Sequence, residues 1–213
     1  MKRILLTVAL SAIALAANPA ALFAQTAEEI VSKMDDALRP SDTEGCYFVM
    51  EMKIPLLGTV AAASYVLGDR LRVETEMQGE IGIDWTDGVT NWVYSSKDNT
   101  VTIENAKTEE KAKDADENLG LFKNITEGYD VKISGETADS WSILCTKSKS
   151  NKNKDDPKKM DLVVAKATYL PLSLKSSLKG VTMTMRDIRV GVSEDEVTFN
   201  PAKYPDAKIV DKR

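Results

Sequence analysis

Apolar residues recur at two different spacings along this chain, and each change of spacing marks a new element. Ile30, Val31, Met34, Ala37 and Leu38 repeat at helical spacing. Thr26 and Glu29 before them form a Ser/Thr-x-x-Glu capping box, which predicts a helix of about three turns ending near Arg39-Pro40. From Cys46 the period becomes two, with Cys46, Phe48, Met50, Met52 and Ile54 on one side and Glu51 and Lys53 on the other. That is the first strand.

Further strands are predicted as an antiparallel meander over Thr59 to Leu67, Arg70 to Met77, Glu80 to Trp85, Val89 to Ser95 and Thr100 to Glu104. Strict alternation from Arg70 to Met77 implies a sheet with one wet face. Asp87-Gly88 reads as the centre of a type I′ hairpin turn. Alternation stops between Ala106 and Phe122, where a charged run leading to Leu119, Leu121 and Phe122 predicts a second helix. Strands then resume at Tyr129 to Ser134, Ser140 to Lys147, Asp161 to Thr168, Leu172 to Leu178 and Val181 to Val190. The lysine-rich stretch Ser148 to Lys159 reads as an exposed hairpin loop, or as a partner-binding arm.

About ten to eleven strands and two helices place the chain in the α+β class, as a strongly curved antiparallel sheet with helices packed on one face. No repeat or linker divides residues 25–213, so one domain is expected.

The first 24 residues change the picture of where this domain works. Met1-Lys2-Arg3 is a positive start, Ile4 to Ala17 an apolar run too short for a comfortable membrane span, and Ala21-Leu22-Phe23-Ala24 a small-residue cleavage site. A signal peptide cut near Ala24-Gln25 implies export, most simply to the periplasm. Gln25 and not a cysteine stands directly after the cut, and Cys46 lies far too deep in the chain to be an acylated N-terminus, so no lipid anchor is expected.

Composition narrows the chemistry. The mature chain carries 26 basic against 33 acidic residues, a net charge of −7 that repels nucleic acid and anionic headgroups. Histidine is absent, which removes the usual general base, the common nucleophile systems and the commonest zinc ligand. Asp114-x-Asp116-x-Asn118 resembles the opening of a calcium loop, but the glycine is displaced to Gly120 and Ile125 occupies the position of the bidentate glutamate. Neither catalysis, nor a metal, nor a cofactor is expected. Cys46 and Cys145 permit one disulfide or two buried thiols, and spacing does not choose between them.

What remains is an apolar surplus, with Trp85, Trp92 and Tyr94 around one hairpin and methionines recurring on strands. These residues either fill an ordinary core or line a cavity for a flexible apolar ligand. The cavity reading assigns the lining to Phe48, Met50, Met52, Val73, Ile83, Trp85, Trp92, Met183 and Met185, with Ile30, Met34 and Leu38 on the helix side.

The capped N-terminal helix, Leu67-Gly68-Asp69-Arg70-Leu71-Arg72-Val73-Glu74, the hairpin Trp85 to Tyr94, and Tyr169-Leu170-Pro171-Leu172 followed by a Gly180 turn resemble the LolA-like carriers of outer-membrane lipoproteins, in the LolA/LolB/RseB superfamily. The resemblance spans nearly the whole mature chain in element order. It implies an unclosed β-barrel whose concave side is covered by helices, and a monomeric periplasmic carrier that takes lipoprotein acyl chains from an inner-membrane donor to an outer-membrane acceptor. The superfamily also contains a lipid-anchored receptor and an envelope-stress regulator. The absent acylation cysteine argues against the receptor form, and a sensor or regulatory module binding a membrane-protein segment is the alternative. The family's Arg-Pro turn, whose arginine latches the helical lid, is replaced by Gly68-Asp69-Arg70, leaving Arg70 as the candidate latch.

Overall fold

In the computed structural model, which describes residues 25–56, 58–106 and 127–213, Thr26 caps helix α1 (Ala27–Leu38) as its sequence demands. Its side chain accepts from the Glu29 amide while Glu29 reaches back to the Thr26 amide. Pro40 then starts a further single turn, α2 (Ser41–Glu44), which the sequence pattern does not announce. The chain turns into the sheet at Gly45, with φ of 76°, where a Cβ would lie 2.3 Å from the Val66 carbonyl oxygen. No other residue type fits there. The expected leader peptide, the helix expected before Phe122 and the Asp114–Asn118 stretch fall outside the described residues.

The strands are β1 (Cys46–Ile54), β2 (Gly58–Leu67), β3 (Arg70–Met77), β4 (Glu80–Thr86), β5 (Thr90–Ser95), β6 (Thr100–Asn105), β7 (Tyr129–Glu136), β8 (Ser140–Lys147), β9 (Lys159–Ala165), β10 (Pro171–Leu178), β11 (Val181–Val190) and β12 (Lys208–Asp211). They form one sheet in the order β12-β6-β5-β4-β3-β2-β1-β11-β10-β9-β8-β7. It is large and unclosed. Every described pairing is antiparallel except that of β12, which runs parallel to β6. A terminal strand was no part of the expected meander, and four residues with only Ile209 and Val210 as apolar members give little periodic signal.

The β4–β5 hairpin corrects the expected turn. Asp87 N donates to the Thr90 carbonyl, so the two central residues are Gly88 and Val89. Of these only Gly88, at φ 85°, is left-handed, as type II′ requires and type I′ does not. The Asp87 carboxylate accepts from the Val89 and Thr90 amides at 2.9 and 2.6 Å, which together with the nearby Arg70 charge holds its pKa below the usual range despite partial burial.

Paired residues on neighbouring strands share a face, so the register sorts the side chains. Cys46, Phe48 and Met50 lie with Val66, Ser64 and Ala62 of β2 and then with Leu71, Val73 and Thr75 of β3. Met185 and Leu174 join the same face through β11 and β10, as do Leu162 and Ile143 through β9 and β8. Helix α1 packs against part of this face, with Ala27, Ile30, Val31, Met34 and Leu38 buried in one cluster with Phe48, Val66, Ile143, Leu162, Leu174 and Met185. A hydrophobic stripe on a short helix holds little by itself, and this burial is what keeps α1 in place.

Between β3 and β4 the apolar phase inverts. Leu71 pairs with Thr86 and Val73 with Asp84, whereas Trp85 pairs with Arg72 and Ile83 with Glu74. The face opposite α1, expected to be wet, is therefore covered beyond β3. After β11 the chain crosses it through α3 (Glu194–Val197), a 3-10 turn (Pro201–Lys203) and β12. Val197 is buried, and Phe199 and Tyr204 pack on Trp85 at ring separations of 5.3 and 5.7 Å.

Candidate functional site

The expected lining residues divide between the two faces. Phe48, Met50, Met52, Val73, Met183 and Met185 share the α1 side, and Ile30, Met34 and Leu38 reach it from the helix. Ile83, Trp85 and Trp92 lie on the other side, where Trp92 stacks on Phe199 at 5.9 Å. They do not form one surface. Alternation within a strand reveals which residues share a side, but not how that side aligns with its neighbour's.

On the α1 side, two regions differ. Under the helix the side chains are closed in: Ile30, Val31 and Met34 have no exposed surface, nor do Cys145, Leu162 and Val164. Toward the β1–β2 and β10–β11 turns, Met50, Met52, Ile54, Val60, Val73 and Met183 remain only partly buried. The result is an apolar strip continuous with the core and open along its outer part.

Polar contacts dock α1 at its start. Gln25 Nε2 and Lys33 Nζ donate to the Tyr169 hydroxyl at 3.1 and 3.3 Å, and the Lys33 ammonium lies 4.9 Å from the Tyr169 ring centre. Tyr169 in turn stacks on Trp141 at 5.5 Å. Tyr169 carries this role without any signal in the periodic pattern, because it sits in the β9–β10 connection.

Asp35, on the same helix, is less comfortable. Its Oδ1 is buried without a hydrogen-bond partner among the described residues, and burial, with a smaller contribution from the Asp36 charge, pushes its carboxyl up to about 6. An unfolded aspartate titrates near ~4. Between those values the folded chain holds the proton more tightly, so this group's contribution makes the protein less stable as pH rises from about 4 to about 6. Asp35→Asn is expected to raise the unfolding free energy at neutral pH by about 1 kcal/mol, discounted for solvent screening of a partly exposed carboxylate, and by nothing near pH ~4. Urea unfolding at both pH values measures this, and an equal gain at both would exclude the titration account.

Arg70 does not latch α1. It points to the opposite side, where its Nη1 lies 3.4 Å from both the Thr198 hydroxyl and Glu194 Oε2. Arg72 beside it donates to the Glu196 carbonyl at 3.2 Å, pairs with Glu74, and stacks over Tyr65 and Trp85 at 4.9 and 5.8 Å. Both arginines hold the C-terminal segment. Among the described residues, open clefts of about 260 and 140 Å³ border this segment, with Trp92 lining the smaller.

Cys46 and Cys145 are buried free thiols, pushed up to about 11 chiefly by burial. Strands β11, β10 and β9 separate β1 from β8. Four inter-strand spacings of ~4.8 Å put the two cysteines roughly 19 Å apart along the sheet, well beyond the ~7 Å a disulfide spans. Among the described residues no helix is long and apolar enough to cross a membrane.

A scan of protein-family models finds no match to this sequence, and a search of curated proteins finds none either. Solved structures similar to the chain include a LolA superfamily protein from Nitrosomonas europaea, 14% identical, covering 84% of this chain and 100% of that one with a TM-score of 0.33. The MucA/MucB complex of Pseudomonas aeruginosa matches at 14% identity over 82% of this chain and 61% of that one, with a TM-score of 0.46. The lipoprotein LppX of Mycobacterium tuberculosis matches at 10% identity over 75% and 93%, with a TM-score of 0.47. The solved structures to which this chain is similar thus include one named for the superfamily that its sequence resembles.

Proposed function

We propose that the chain is an exported envelope protein that shields acyl chains, those of lipoproteins first among them, against the α1 side of its sheet during transfer toward the outer membrane. One observation supports this reading above the others: Met50, Met52, Val73 and Met183 continue the α1 core as a partly exposed apolar strip. Methionine suits such a surface, since an unbranched, polarizable side chain repacks around ligands of different shape. One long acyl chain gains on the order of 10 kcal/mol on leaving water, at ~0.8 kcal/mol per methylene. Binding of that size needs no catalytic group. Release to an acceptor requires only that the acceptor hold the chain more tightly than this face does.

In this reading α1 is the lid over the inner end of the strip. The tryptophan cluster has no part in holding cargo. Purifying the mature chain from envelope extracts, extracting its bound lipid, and titrating the emptied protein with a fluorescent fatty acid tests the proposal. Co-purified acyl chains are expected, and Met183→Glu is expected to weaken the probe by about ten- to a hundredfold, as burying a carboxylate against a hydrocarbon demands. A protein that carries no lipid and ignores the probe, yet crosslinks to a single membrane-anchored partner, would replace carriage by a regulatory role.

A further inference from the structure

In a meander the hairpin tips alternate between the two ends of the sheet, and here the ends differ in charge. The β1–β2, β3–β4, β5–β6, β8–β9 and β10–β11 connections share one end, with Lys53 paired to both Thr59 and Thr182. Gly180 sits beside Pro55, and Lys179 Nζ bonds Asp155 of the β8–β9 loop at 2.8 Å, so these tips adjoin in space. Segments 53–58, 77–81, 96–99, 127–128, 148–159, 178–181 and 206–208 at this end contain nine lysines and six acids. Segments 40–45, 68–70, 87–89, 136–140, 166–170, 191–198 and 211–213 at the other end contain ten acids and four bases. Among the described residues the two ends thus carry opposite net charge, the poles separated by the length of a strand, roughly 30 Å for nine residues.

The basic end also carries apolar tips. Leu56, Met77 and Ile81 are 107%, 60% and 45% exposed, and they belong to the neighbouring β1–β2 and β3–β4 hairpins. Leu56 is held outward at φ 68°, a conformation leucine seldom adopts. Within the β8–β9 loop, Asp156 is occupied by the Asn151 and Asn153 amides at 2.7 Å and Asp155 by Lys179. The acids of that loop are therefore turned to building it, while Lys149, Lys152, Lys154 and Lys158 are exposed around it, Lys152 Nζ also donating to the Lys149 carbonyl at 2.6 Å.

We propose that this end docks on an anionic membrane surface, with the loop lysines on the lipid headgroups and the Leu56 tip entering the interface. Charge complementarity selects this occupant. Lysines near an anionic leaflet each add to the attraction, the acidic pole is repelled, and the dipole orients the molecule before contact. An exposed leucine adds the second, apolar signal that a weak electrostatic contact needs to persist. The partly exposed strip of the α1 side opens toward this same end, through Met52, Ile54, Val60 and Met183. Docking stands on the charge and tip geometry alone and does not require that the strip carry lipid.

Sedimentation of the mature chain with vesicles tests it, comparing pure phosphatidylcholine with a mixture containing about one-quarter phosphatidylglycerol. Binding to the anionic vesicles alone is expected, falling as salt rises. The triple variant K149Q/K152Q/K154Q should bind roughly a hundredfold more weakly, and Leu56→Ser roughly tenfold more weakly with an unchanged salt dependence. All four positions are exposed, so unfolding midpoints should match the parent protein. Equal binding to both vesicle types, or a triple variant that binds like the parent, would overturn the proposal. Failure to bind either vesicle, with polyglutamate binding lost in the triple variant, would overturn it in favour of an acidic protein partner.

Discussion

Phe48→Ala is expected to lower the unfolding free energy by about 3–5 kcal/mol, the range for emptying a buried aromatic site. Phe48 is 2% exposed on β1, the strand that pairs with both β2 and β11, and it belongs to the cluster that buries α1. Strand β1 lies between β2 on one side and β11 and β10 on the other, so Phe48 sits in the middle of that cluster. Alanine empties that site, and β1, paired with β2 throughout and with β11 on either side of a bulge at Phe48, is held too firmly to collapse into the space. Urea unfolding followed by circular dichroism measures the effect. A loss under about 1 kcal/mol would mean that α1 is not held by this core.

Trp85→Ala should destabilise by a similar amount, about 3–5 kcal/mol, but by a different route. Trp85 is 4% exposed on the far face, under Phe199, Tyr204 and the Arg72 guanidinium. Its removal takes away the floor on which the C-terminal segment lies. Limited proteolysis should then cut between Gly191 and Lys208 in the variant well before the parent protein. Because the sheet separates Trp85 from the α1 side, affinity for an apolar probe should change less than about twofold in the fraction that remains folded. Loss of probe binding with stability intact would instead restore the single shared surface that the sequence suggests.

These two substitutions mark where sequence reading succeeded and where it failed. The capping box at Thr26 and Glu29, the stripe of Ile30, Val31, Met34 and Leu38, and the alternation of β1, β3 and β11 are local properties. Each depends on spacing within one segment, so the sequence displays them directly. The large antiparallel sheet followed from counting such segments between turns, and its unclosed form from the resemblance to the LolA-like carriers. The C-terminal segment was not legible, because α3 and β12 span only four residues each and the aromatics between them follow no period. The positions of Tyr169, Arg70 and Arg72 were not legible either, as each acts on a part of the chain more than 120 residues away.

By itself, then, the sequence determined the elements, the side of each strand on which its apolar residues fall, and the absence of histidine chemistry. Tertiary structure decided which of those sides face each other. Alternation has a period of two and no absolute phase, so a run such as Ile81, Ile83, Trp85 fits either face equally well until pairing sets the register. The pairing of Leu71 with Thr86 placed the tryptophans beneath the C-terminal segment and left the methionine strip to α1. The same folding gathered lysines from distant hairpins at one end of the sheet, a charge separation invisible in a net total.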